Sequence, residues 1–146
     1  MFRKLFHIFA VISCYFLLIY GPKMAWICIG LHLIADFWMQ GCLANMKQKD
    51  WWEEQFHKLE LPKEKRELYE KDYQISLVCH ALMWSLITFS PLIFFVDSFY
   101  FGILIIFNTW LHAMIDNAKA NDKVINLFDD QLLHIIQIIF TVGLII

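Results

Sequence analysis

Apolar residues run through this chain in long blocks, interrupted by a few polar positions that recur at helical spacing. A block of about 20 apolar residues crosses a bilayer as a helix. Five such blocks stand at about 4–20, 24–46, 74–97, 99–118 and 125–146. They predict an all-α, polytopic membrane helix bundle forming a single membrane domain over residues 1–146. Gly21-Pro22 predicts the turn of a tight hairpin between the first two spans. Asp97-Ser98 separates the third from the fourth, with Ser98 as the expected N-cap, and Pro91 predicts a kink inside the third. The polar interval 47–73 reads as a charged cytoplasmic loop. Within it, Trp51, Trp52, Phe56 and Leu59 suit an amphipathic helix at the membrane interface, and Pro62 opens a second, solvated helix. This loop is a connector or a lid over a membrane-facing site.

Composition sharpens the picture. The chain is 60% hydrophobic and 18% charged with a mean hydropathy of +0.54, against about 45–50% and about 25% in soluble domains. Disorder, collagen, coiled coil and a small disulfide scaffold are excluded. A net charge of -2 without a basic stripe excludes nucleic acid as a partner. Cytoplasmic loops collect Lys and Arg. With the N-terminus inside, eleven of the 12 basic residues fall on one side and only Lys23 on the other. The expectation is therefore N-terminus in, C-terminus out. Arg3-Lys4 and the apolar run behind them suit an uncleaved signal anchor, because that run continues past Cys14. Cys14, Cys28, Cys42 and Cys79 show no C-x-x-C spacing and read as packing residues.

The polar residues inside the spans carry the candidate chemistry. Ionisable groups are costly in a bilayer and face the bundle interior, where they mark functional sites. His32 and Asp36, His112 and Asp116, and Asp130 and His134 are each four apart, so each pair lies on one helix face. His80 comes from a further span, Gln40 and Asn108 extend two of the faces, and His7 and His57 stand apart. Counted from the cytoplasmic ends at about 1.5 Å per residue, Asp36, His80, His112, Asp130 and His134 lie about 8–15 Å deep. His32 lies deeper, at about 21 Å, and Asp116 lies near the interface. Imidazole and carboxylate are ligands for divalent metals, and bundles build such sites from facing helices. Asp36, His80, His112, Asp130 and His134 are the expected ligands of one or two divalent ions, zinc first. His32 and Asp116 are further candidates as ligands or catalytic groups, Asp116 as a general base.

The ordered pattern His32-x-x-Ala35-Asp36-Phe37-x-x-Gln40, Lys47, His80, His112-x-x-x-Asp116-x-x-Lys119 and Asp130-Gln131-x-x-His134 resembles an uncharacterised family of small bacterial and phage membrane proteins. This is the domain of unknown function numbered 3307, and the resemblance covers about residues 31–135. It implies a multi-span protein of the bacterial inner membrane and brings no activity. Lys119 joins the catalytic candidates here, as a partner for Asp116 or for a lipid phosphate, and Gln131 as a residue that orients a ligand. The function expected is a metal-dependent hydrolase acting on a lipid or another membrane-associated ester, amide or phosphoester. One alternative is a proton or metal-ion relay. Another is a phage or host accessory protein whose polar cluster is structural. The outer halves of the last two spans are apolar apart from Gln137 and Thr141, which favours a one-sided site over a path.

Overall fold

The computed structural model describes residues 21–146, and every described element is helical. The span expected at 4–20 lies outside these residues, as do His7 and Cys14. Residues 21–33 form helix α1, which widens into a π-turn over Ile34–Trp38. Gly21 and Pro22 are themselves helical, so the expected turn is not at these two residues. The chain leaves the π-turn through Gly41, whose φ of 51° suits a residue without a Cβ. Three short helices follow: α2 (Leu43–Met46), α3 (Lys49–Lys58) and α4 (Lys63–Leu68). Three long ones complete the chain: α5 (Asp72–Phe89), α6 (Ser98–Ala120) and α7 (Leu127–Ile145).

Local sequence explains the boundaries of the long helices. The α-helix of α5 stops at Phe89, and Pro91 opens a 3-10 turn over Ser90–Phe94. The N-cap of α6 is Asp97 rather than the expected Ser98. Its Oδ1 accepts from the backbone N–H of Phe99 at 2.9 Å and of Tyr100 at 3.1 Å. The carboxylate satisfies two orphan donors at once and makes Ser98 the first helical residue. Asn126 caps α7 in the same manner, accepting from Asp129 N–H at 3.0 Å.

Three stretches among the described residues are long and apolar enough to cross a membrane: Lys63–Phe94, Ser98–Ala120 and Leu127–Ile145, of 32, 23 and 19 residues. They match the third, fourth and fifth expected spans. Burial is inverted relative to a soluble protein. On α6, Ile106 is 72% and Trp110 59% exposed, whereas Asn108 and His112 are 0% exposed. The same holds on α7, where Ile136 and Phe140 face out and His134 and Gln137 face in. Apolar outer faces around a polar interior are what hydrocarbon surroundings favour. The apolar part of the core is made by Met24, Cys28, Trp84, Phe89, Leu92, Ile105, Ile138 and Val142.

The charged loop is tied to the bundle at one end. Asn121, after α6, accepts from the Lys49 N–H at 2.7 Å and donates to the Lys47 carbonyl at 3.2 Å. Lys123 pairs with Asp50, and this carboxylate raises the lysine's pKa. The Trp52 indole donates to the Met46 carbonyl. These bonds hold the residues around Lys47 against the inner end of α6. Phe56 and Tyr69 bring α3 against α4, and the two helices enclose a cleft of about 580 Å³ lined partly by Trp52, Phe56, Arg66 and Tyr73.

Candidate metal centre

Each expected ligand sits on a helix whose opposite face is apolar, so burying the ligand and exposing the apolar face to lipid require the same rotation. Asp36, His80, His112, Asp116, Asp130 and His134 are all at most 4% exposed. α6 contributes His112 and Asp116, α7 contributes Asp130 and His134, α5 contributes His80, and the π-turn contributes Asp36. Asp116 is 1% exposed and lies among the imidazoles.

His80 Nε2 is 3.3 Å from Asp36 Oδ1, 3.3 Å from Asp116 Oδ2 and 3.3 Å from His112 Nε2. His112 Nε2 is 3.6 Å from Asp116 Oδ2. A tetrahedral ion with metal–ligand bonds of about 2.0–2.1 Å has donor atoms about 3.3 Å apart. Candidate ligating atoms of Asp36, His80, His112 and Asp116 all lie within 4.8 Å of one another, and those of Asp36, Asp130 and His134 form a second such group. His134 Nε2 is 3.5 Å from Asp130 Oδ1 and 3.4 Å from Asp116 Oδ1. The rings are ordered by packing. Trp84 stacks on His112 at 4.0 Å and 19°, and His112 stacks on His134 at 4.1 Å and 26°.

Two lysines balance the carboxylates. Lys47 Nζ is 2.6 Å from Asp116 Oδ2 and is itself buried. Lys119 Nζ is 2.6 Å from Asp130 Oδ2, so its partner is Asp130 and not the expected Asp116. With neutral imidazoles, three carboxylates and two ammoniums leave one negative charge in the pocket. A divalent cation offsets it, which matters where solvation is poor.

His32 has a hydrogen-bond partner on each ring nitrogen. Its Nδ1 accepts from the Trp84 indole N–H at 2.8 Å. The neutral ring therefore carries its proton on Nε2, which faces Gln131 Oε1 at 3.0 Å. The Gln131 amide nitrogen then donates to Asp36 Oδ2 at 2.9 Å and to Asp130 Oδ2 at 3.0 Å. Both nitrogens of His32 are thus engaged, and Gln131 links the ring to the Asp36 and Asp130 carboxylates.

Sequence reasoning missed two participants. Lys47 reads as a loop charge, and its only signal is its place in the ordered pattern quoted above. Trp84 lies four residues after His80 and so shares its helix face, but its type suggests lipid-facing packing. Gln137 and Thr141, the two polar exceptions in the outer half of the last span, both bond to Asn108. Gln137 donates to Asn108 Oδ1 at 2.9 Å, and Thr141 donates to the same oxygen at 3.0 Å. Asn108 and Thr141 also border a groove of about 370 Å³ between α6 and α7.

Comparison of the chain with family models, with curated proteins and with solved structures finds no match.

Proposed function

We propose that this protein is a metal-dependent hydrolase of the bacterial inner membrane, acting on a lipid or another membrane-associated ester, amide or phosphoester. It crosses the bilayer five times, with its N-terminus inside and its C-terminus outside, and shares the family of the domain numbered 3307. One observation carries the metal reading: donor atoms of Asp36, His80, His112 and Asp116, from three helical segments, lie within 4.8 Å of one another, with Asp36, Asp130 and His134 as a second such group. Asp36, His80, His112, Asp116, Asp130 and His134 hold the metal, zinc first. A divalent ion lowers the pKa of a bound water to about 7 and supplies a nucleophile at neutral pH. Lys47 and Lys119 hold Asp116 and Asp130, and Gln131 holds Asp36 and Asp130. The cleft between α3 and α4 begins two residues from Lys47, at Lys49, which supports the loop as a lid near the cytoplasmic mouth.

A second reading, a proton or ion relay, draws support from the Asn108–Gln137–Thr141 network beyond His112 and His134. One preparation separates the two. Protein purified in detergent without chelators should hold one or two metal equivalents, lost in an Asp130→Asn/His134→Ala variant. Reconstituted in liposomes, it should turn over lipid without ion flux. Absence of bound metal overturns the hydrolase reading, and flux without turnover replaces it with the relay.

A further inference from the structure

The six donor residues divide into two groups, and this division bears on how many ions the pocket holds. The first group is Asp36, His80, His112 and Asp116, and the second is Asp36, Asp130 and His134. Asp36 belongs to both. Its Oδ1 faces His80 at 3.3 Å, while its Oδ2 shares the Gln131 amide with Asp130. Asp116 also straddles the division, with Oδ2 turned to His80 and His112 and Oδ1 to His134 at 3.4 Å. A carboxylate whose two oxygens face different donor groups is suited to bridging two cations.

We propose that the centre is binuclear, with Asp36 as the bridging carboxylate, and that its substrate is a lipid phosphomonoester. This rests on the metal-hydrolase reading above. The two sites differ. The first has four protein donors, which closes a tetrahedral ion; the second has three, the number that leaves a position open for water or substrate. Charge selects the substrate. With the imidazoles neutral, as metal ligands are, the side chains of the pocket sum to one negative charge, so a single divalent ion makes it singly positive and two make it triply positive. A neutral ester or amide leaves that charge uncompensated, whereas a phosphoryl dianion with a hydroxide cancels it. Two ions about 3.5–4 Å apart also match the attacking and leaving oxygens of phosphoryl transfer. In the step, the oxygen of water bonds to phosphorus and the phosphorus–oxygen ester bond breaks. The departing alkoxide takes the proton that water releases. The products are a lipid alcohol and inorganic phosphate.

Manganese(II) titration of the wild-type protein, followed by electron paramagnetic resonance, tests this directly. Two equivalents should bind, the second replacing an isolated six-line signal with a spin-coupled one. Asp130→Asn should hold one equivalent and stay uncoupled. Phosphatidic acid in micelles should perturb the coupled signal and release inorganic phosphate. Saturation at one equivalent with lipid turnover overturns the binuclear centre and leaves the hydrolase standing. No binding overturns both. Two uncoupled ions overturn the bridge. Release of fatty acid overturns the phosphoester assignment, and a signal perturbed by inorganic phosphate but not by phosphatidic acid overturns the lipid substrate.

Discussion

An ammonium buried beside a carboxylate has given up its hydration and depends on its partner. Lys47 and Asp116 are in this position, 7% and 1% exposed and 2.6 Å apart. Removing one partner of a buried pair costs about 3–5 kcal/mol, because the other charge is stranded. Lys47→Met should therefore destabilise the metal-free protein by about that amount. Added zinc should recover most of it, since a cation replaces the lost positive charge; denaturation in detergent with and without zinc measures both. At this scale the sequence was informative about residue type and less so about role. His32, Asp36, His112, Asp116, Asp130 and His134 were legible as pairs because four-residue spacing places them on one face. That both nitrogens of His32 are engaged depends on Trp84 and Gln131, which come from two other helices and leave no trace near residue 32. Lys119 was legible as a participant, but its carboxylate is Asp130 on α7 and not Asp116 on its own helix.

At the scale of elements, apolar block length decided the long helices. α5 with its 3-10 extension, α6 and α7 fall within a few residues of the blocks 74–97, 99–118 and 125–146. Their ends depend on capping, which shorter-range chemistry controls. Asp97 accepts from two backbone N–H groups, so Asp97→Ala should cost about 0.5–2 kcal/mol while Ser98→Ala costs little. Equilibrium unfolding of the two variants side by side checks this. The π-turn at Ile34–Trp38 is the element that spacing alone did not reveal. It interrupts the expected 24–46 block, and the remainder of that block is a turn and the short helix α2. The block contains no proline to announce a break, and Asp36 lies within the widened turn.

For the whole molecule, the inverted distribution of polar and apolar residues sets the arrangement of the bundle. The exposed faces of α5, α6 and α7 carry Ile, Leu, Phe and Trp, and the interior carries the imidazoles and carboxylates. The proposed five-span topology assigns the loop 47–73 to the inside and the connection at Asp97 to the outside. In a background without native cysteines, Lys63→Cys should resist a membrane-impermeant maleimide in intact cells, and Asp97→Cys should react. Labelling of both from outside overturns the orientation.

Composition and block length by themselves determined that the chain is helical and apolar enough to span a membrane, because hydrocarbon rewards any sufficiently long apolar helix whatever its neighbours. Four-residue spacing determined which side chains share a face, because helical geometry is local. Only the tertiary structure decided which oxygens face which nitrogens, that Lys47 reaches Asp116, and that Asp36 belongs to two donor groups. These depend on the rotation and depth of one helix against another, set by packing and charge pairing between residues up to about a hundred positions apart, such as His32 and Gln131 at a separation of 99.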